Sequence, residues 1–286
     1  CPNIELQTNP PVNLTEYSRS TWYVQQQQVN GYQSRDDLYC VAATYNKDDN
    51  SKVPFFNGNV LSVYNYGNYN ETNGISLNNS TILCARQPDK NHPEKLLVAP
   101  CFLPNLFGGD YWIMATSPDT SNYEWAVVIG GQPTERVTNT SCTTRLSGIN
   151  NSGLWIFSRK PILDQDTLNT IRNVIESKGV STKYLLDVAQ SGCKYQGAFI
   201  KPASQLLIGY KSDCTICKDL IQSIQKDLED GDKIVGPLLK FITNICHSIF
   251  GPAAKECYDI TSNASSFIDY MIHHNSTFLC NQMHAC

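Results

Sequence analysis

The chain has 286 residues, 17% of them charged, and a formal net charge of −4. With no basic surplus and no stripe of lysine and arginine, it lacks the electrostatic footprint of a nucleic-acid binder. No run of 18 apolar residues occurs, so the sequence offers no membrane-spanning helix.

Twelve cysteines set the redox compartment. So many, in even number, fit a disulfide framework in an oxidising environment. Eight N-x-S/T sequons, at Asn13, Asn70, Asn78, Asn79, Asn139, Asn150, Asn263 and Asn275, agree with a secreted glycoprotein. The chain begins at Cys1, and the expectation is that a signal peptide is removed before it.

Residues 1–20 are polar and proline-containing, an extended lead-in with a short turn of helix near Leu14. A first strand starts at Thr21-Trp22-Tyr23-Val24 and runs into four glutamines, Gln25 to Gln28. If the strand continues, half of these side chains face inward, where they can bond the polar end of a ligand; otherwise the strand ends there in a loop. Residues 38–45, 60–66, 81–86 and 95–102 give four more strands, the third and fourth separated by a polar, sequon-rich loop. Residues 111–116 and 123–129 form a hairpin around the turn formers Ser117, Pro118, Asp119, Thr120, Ser121 and Asn122. Both of its strands are bulky at every position, so neither face is simply wet. Residues 153–159 make an eighth strand. Eight short strands at near-regular spacing predict an antiparallel barrel or sandwich.

The period then changes. Leu168, Ile171 and Ile175 recur at helical spacing over residues 164–178, with Asp164 or Asp166 able to cap the start and Gly179 after the end. A short strand at residues 184–188 leads to Cys193, and residues 194–211 read as a linker. From residue 212 the composition is helical, with apolar stripes such as Leu220, Ile221, Ile224 and Leu228, and six cysteines. A helical domain of this size needs disulfides to supplement its core. Lys211, Lys218, Lys226, Lys233, Lys240 and Lys255 face nine Asp and Glu there, so the domain is acidic.

Three patches of the first 193 residues resemble the lipocalin family. Ser20-Thr21-Trp22-Tyr23 is similar to its G-x-W-Y motif, with serine in place of the glycine. Ala115-Thr116 through Tyr123-Glu124-Trp125-Ala126 is similar to its second motif, with a longer turn. Leu154-Trp155-Ile156-Phe157-Ser158-Arg159 is similar to the third, a strand ending in arginine. Cys40 to Tyr45 resembles the second strand of the apolipoprotein D, insecticyanin and crustacyanin branch. The resemblance implies an eight-stranded antiparallel barrel over residues 1–193 with one flanking helix. It places Trp22 and Arg159 at the barrel floor, where a guanidinium over an indole gains about 0.5–2 kcal/mol. It implies an inward ligand-binding set of Tyr45, Tyr111 and Trp155, which alternation extends to Val63, Asn65, Ile113 and Phe157. Trp125 is a further candidate whose strand parity is open. It also implies a disulfide Cys40–Cys193. Cys1–Cys142, expected at the closed end, and Cys84–Cys101 are the pairs proposed for the rest.

Residues 212–286 resemble a saposin B-type module, through the spacing C-x2-C-x28-C-x10-C-x22-C-x5-C. The resemblance implies the nested pairs Cys214–Cys286, Cys217–Cys280 and Cys246–Cys257. It implies amphipathic helices that clasp lipid, touch a membrane surface or self-associate into a homo-oligomer. The expected fold is thus multidomain: an all-β barrel, a linker and an all-α disulfide-rich domain.

No nucleophile elbow, zinc-protease helix, Walker loop or dinucleotide fingerprint is present, and no metal site is expected. His273 and His274 are adjacent, point apart on a helix and read as a solvated pair. Asp227 to Asp232 lacks the alternation of a calcium loop. The expected function is a secreted, non-catalytic carrier of a small hydrophobic ligand such as a carotenoid, bilin, retinoid, sterol or fatty acid. No cofactor is required, though a carotenoid or bilin chromophore suits the barrel. The alternatives are a membrane-perturbing defence protein acting through the helical domain, and a lipocalin-type enzyme on a lipophilic substrate.

Overall fold

A computed structural model describes residues 1–198, except 32, 48–50, 54–55, 78–82, 102–104, 106–107, 118, 148–149 and 197, together with 273–275 and 277–278. The chain divides into two compact units, Cys1–Pro202 and Ala203–Cys286. Cys214, Cys217, Cys246, Cys257, Cys280 and Cys286, their pairing, Asn263 and the saposin-type helices lie outside the described residues. Within the second unit His273 is exposed, and the His274 ring stacks on Phe278 with centroids 4.7 Å apart.

The first unit is an eight-stranded antiparallel barrel. Its staves are β1 (Trp22–Gln27), β2 (Tyr39–Asn46), β3 (Val60–Tyr69), β5 (Leu83–Arg86), β6 (Lys95–Pro100), β7 (Gly109–Thr116), β8 (Trp125–Ile129) and β11 (Leu154–Ser158). Each pairs with its neighbour in sequence, and β11 returns to pair with β1, closing the ring. Four two-residue strands, β4 (Ile75–Ser76), β9 (Glu135–Arg136), β10 (Cys142–Thr143) and β12 (Leu186–Asp187), complete the β-structure. Two helices flank it: α1 (Leu14–Tyr17) and α2 (Gln165–Ser177).

Alternation divides the apolar side chains between two cores. Trp22, Val24, Val41, Ala43, Tyr45, Leu61, Val63, Ala85, Ile113, Ala126, Val128, Trp155 and Phe157 pack inside the barrel. Met114, Ala115, Val127, Ile129, Leu154 and Ile156 face outward, where Leu168, Ile171 and Ile175 of α2 cover them. This is why the β7–β8 hairpin is bulky on both faces. Asp164 caps α2 by accepting a hydrogen bond from the Thr167 amide at 2.8 Å. A bulge between Ile113 and Ala115 turns both Met114 and Ala115 outward, resetting the register against β8.

The first strand continues through Gln27 rather than ending after Val24. A second bulge, between Val24 and Gln26, shifts its parity. Gln25 then anchors the lead-in to α2, donating to the carbonyls of Lys160 and Pro161 and accepting from the Leu163 amide. Gln26 bonds Arg172 and Asp187, and Gln28 bonds Thr143 and Thr144.

Three disulfides join described residues: Cys1–Cys142, Cys40–Cys193 and Cys84–Cys101. Such bonds fit an extracellular protein. Cys1–Cys142 lies at the opposite end of the barrel from that expected. The segment between β8 and β11 leaves the ring where β1 ends, so Thr143 and Thr144 meet Gln28, while Trp22 and α1 sit at the other end. From Cys1 the lead-in runs back along the outside of β7, with the Gln7 amide donating to the Ile113 carbonyl, before α1 enters the floor. Beyond Cys193 the chain stays on the barrel wall: Tyr195 and Ala198 are buried beside Cys40, Ala42 and Tyr66.

Candidate ligand-binding site

The floor is built by α1 and the two residues that the sequence placed there. Asn13 caps α1, accepting from the amides of Thr15 and Glu16. The short helix drops Tyr17 into the barrel, against Trp22 with ring centroids 5.2 Å apart. The Trp22 indole donates to the Tyr17 carbonyl at 2.9 Å. The Arg159 guanidinium stacks over the Trp22 ring, 3.4 Å from its centroid. Its nitrogens donate to the carbonyls of Glu16, Tyr17, Ser20, Thr21 and Tyr123, lacing α1, the start of β1 and the β7–β8 loop together. Desolvation pushes the Arg159 pKa down to about 10, which leaves the group charged at neutral pH.

Above the floor stands a chain of phenols. The Tyr111 hydroxyl lies 2.6 Å from that of Tyr17 and 2.7 Å from that of Tyr45. Burial is the main reason that the Tyr17 and Tyr111 phenols titrate well above the ordinary tyrosine range, and the nearby Tyr45 phenol raises both further. These rings, with Trp22 and Phe157 at 6.2 Å, fill the closed half of the barrel.

Toward the other end the packing is looser: Val29, Leu83, Val98 and Leu186 pack against the inner core yet are only partly buried, as is Tyr111. Asn65 shares the inward row of β3 with Leu61 and Val63, opposite Ala43, and is exposed. Part of these rows is therefore accessible to solvent. Outside the floor, the inward rows of the described staves carry no charged side chain.

Of the residues predicted to line a ligand site, Tyr45, Tyr111, Ile113, Trp155 and Phe157 lie in or against the inner core, and Asn65 lies on its row. Tyr45, Ile113 and Phe157 are almost completely buried, whereas Tyr111 and Asn65 present surface to the lumen. Trp125 is on the wrong face. Ala126 and Val128 point inward, so Trp125 joins the outer core beneath α2. Sequence reasoning missed Val29, Leu83, Val98 and Leu186. Alternation on β5 and β6 contains the signal for Leu83 and Val98; Leu186 comes from a two-residue strand too short to show a period.

A closed barrel with one packed helix, an Arg–Trp floor and an apolar, half-open lumen is a lipocalin-like architecture. No family model matches the sequence. The chain is similar to apolipoprotein D from Mus musculus, 26% identical over 154 residues, which is 54% of this chain and 66% of that protein. It thus spans just under two thirds of that relative. Among solved structures, apocrustacyanin C1 gives a TM-score of 0.44 at 18% identity, covering 69% of this chain and 93% of its own. Lobster apocrustacyanin A1 gives 0.43 at 20% identity, covering 67% and 86%. The cockroach allergen Per a 4 gives 0.42 at 16%, covering 70% and 97%.

Proposed function

We propose that residues 1–193 are a lipocalin-type carrier holding a small hydrophobic ligand in the open half of the barrel. The observation that carries this reading is the inner row of apolar side chains left partly uncovered above a packed floor. Covering such surface with a ligand gains about 25 cal/mol per Å². The similarity to an apolipoprotein supports it. The lumen is apolar and uncharged, with hydroxyl and amide groups from Tyr111 and Asn65, which suits a carotenoid, bilin, retinoid, sterol or fatty acid. Tyr111, Asn65 and Trp155 contact the ligand in this reading; Tyr45, Ile113 and Phe157 support the wall behind it. The reading includes no catalytic step.

The proposal extends to the rest of the chain. The linker expected over residues 194–211 starts beyond Ala198, which packs with Tyr195 on the barrel wall, and residues 212–286 are a saposin B-type module, on the strength of their cysteine spacing. That module contacts lipid or a membrane surface, or mediates self-association. The protein is secreted, with glycans on exposed sequons such as Asn70, Asn139, Asn150 and Asn275.

Native mass spectrometry with organic extraction and an absorption spectrum tests the carrier reading directly. A bound lipophile, coloured or not, is the expected result. A barrel that is empty when purified natively, and that takes up no lipophile at micromolar concentration, overturns it.

A further inference from the structure

Among the large apolar residues described, Ile75 is the most exposed, at 76%. Directly opposite it on the β3–β4 hairpin stands Tyr69, 41% exposed. Residues opposite one another in an antiparallel pair share a face, with Cβ atoms about 5 Å apart. Scattered apolar residues on a surface are ordinary, but an aromatic and a β-branched side chain paired on one wet face form a small patch. The loop that joins them offers a cover of its own. Asn70-Glu71-Thr72 is a sequon, and Asn70 follows Tyr69 directly.

Hydrogen bonds hold Asn70 in place. Its backbone is left-handed, with φ 63°, a conformation that asparagine tolerates better than most residues. Its amide donates to the Asp36 carbonyl at 2.7 Å, the Glu71 amide to the Tyr69 carbonyl at 2.8 Å, and the Gly74 amide to the Glu71 carbonyl at 3.1 Å. Asn73 ties the loop to the segment around Cys193: its Nδ2 donates to the Gly192 carbonyl at 2.9 Å, and its Oδ1 accepts from the Lys194 amide at 2.8 Å. The Asn70 side chain is exposed and takes part in none of these bonds, so a sugar on its Nδ2 displaces nothing. Asn13 differs, because its Nδ2 donates to the Thr120 carbonyl and its Oδ1 caps α1. Asn139 differs in another way, since the hydroxyls around it, of Thr138, Thr140 and Ser141, bond one another. Of these three asparagines, only Asn70 has an exposed apolar pair beside it.

We propose that the N-linked glycan at Asn70 is a fixed part of this hairpin: its first N-acetylglucosamine lies against the Tyr69 ring and Ile75 and takes that pair out of water. One face of the sugar is lined with C–H groups, which suit the electron-rich face of an aromatic ring. Its acetyl methyl adds apolar surface to be buried against Ile75. The sugar is tethered to the residue next to the patch, so it acts at a far higher effective concentration than a free partner. The hydrogen-bonded loop also limits the freedom lost when the sugar settles. The inference rests on the reading of the chain as a secreted glycoprotein and is independent of what the barrel holds.

The experiment uses the full chain secreted from a eukaryotic host. Glycopeptide mass spectrometry reads occupancy at Asn70. Tryptophan emission reads melting of the first unit, since Trp22, Trp112, Trp125 and Trp155 all lie within it. Thr72→Ala removes the sequon and is expected to lower the melting temperature by about 2–4 °C. After enzymatic removal of all glycans, the same substitution is expected to cost less than about half as much. In a Tyr69→Thr/Ile75→Thr background it is also expected to cost less than about half as much, even with glycans in place, because the surface that the sugar covers is gone. A further measurement needs no variant: with the glycans isotope-labelled, the Tyr69 ring is expected to move the proton resonances of one N-acetylglucosamine upfield of the rest. An occupied Asn70 whose loss costs the same with and without Tyr69 and Ile75 overturns the proposal, as does a labelled glycoprotein with no shifted sugar. So does an Asn70 left bare while other sequons are occupied. Dimerisation of the glycosylated chain, or its flotation on phosphatidylcholine vesicles, overturns it too if the Tyr69→Thr/Ile75→Thr changes abolish that behaviour, since the pair then serves a second copy or a membrane. A chain bare at every sequon overturns the glycoprotein reading itself.

Discussion

Replacing Arg159 by methionine keeps an unbranched stem over Trp22 and removes the charge and every donor. The stacking contact, at 3.4 Å in a partly desolvated site, accounts for about 1–2 kcal/mol. The carbonyls of Glu16 and Tyr17 keep other donors, from the Arg19 amide and the Trp22 indole. Those of Ser20 and Tyr123 lose theirs near the solvent edge, at about 0.5–1.5 kcal/mol each. The expected loss is about 2–5 kcal/mol, or roughly 4–20 °C in Tm for a unit of this size. Arg159→Lys keeps a point charge without the planar fork and is expected to lose at least half as much. Urea unfolding followed by tryptophan fluorescence measures both. A loss below about 0.5 kcal/mol for the methionine variant, the range of an ordinary surface change, would refute the reasoning that the guanidinium laces the floor.

Other outcomes follow from the same geometry. Tyr17 and Tyr111 stay neutral in the folded chain to a higher pH than in the unfolded one, so above about pH 10 the unfolded state holds fewer protons and stability falls as pH rises. Phenolate absorbance at 295 nm should show a late fraction of tyrosines whose ionisation coincides with loss of structure; a single ordinary titration would contradict it. Trp125→Phe should leave ligand-induced fluorescence quenching intact, because that ring lies beneath α2, whereas Trp155→Phe should remove much of it. Paired Cys40→Ser and Cys193→Ser changes should destabilise the barrel by about 3–5 kcal/mol in chemical denaturation, given a bond that closes 153 residues of chain.

The staves and α2 were legible because each is an unbroken run punctuated by turn formers. The sequence Leu168, Ile171, Ile175 behind Asp164 has only one helical reading, and α2 follows it. The floor was legible too: an indole at the start of one stave and a guanidinium at the end of another meet once the ring closes. Trp125 was not, because the β7–β8 hairpin is apolar on both faces and periodicity cannot tell a lumen from a helix-covered wall. A bulge at Met114 added a shift of register that no local pattern announces. The glutamines of β1 were illegible for a different reason. Their partners lie up to 161 residues away, on elements whose position only the finished fold determines. The end at which Cys142 sits was misplaced because the segment between β8 and β11 gives little periodic signal of its own.

One seam of the ring differs from the rest. β1 and β2 pair only at Trp22 with Ala43 and Tyr23 with Ala42. Further up, the segment at β12 lies between them: the Val188 amide donates to the Gln25 carbonyl, Ala189 exchanges backbone bonds with Leu38 and Cys40, and Gln190 donates to the carbonyls of Val24 at 2.6 Å and Val41 at 2.8 Å while taking a bond from the Tyr195 hydroxyl. The strands on either side are therefore joined through an inserted segment rather than by a direct ladder. Cys193, three residues beyond Gln190, is bonded to Cys40 of β2, so that disulfide staples a piece of the ring itself and not a strap laid over it.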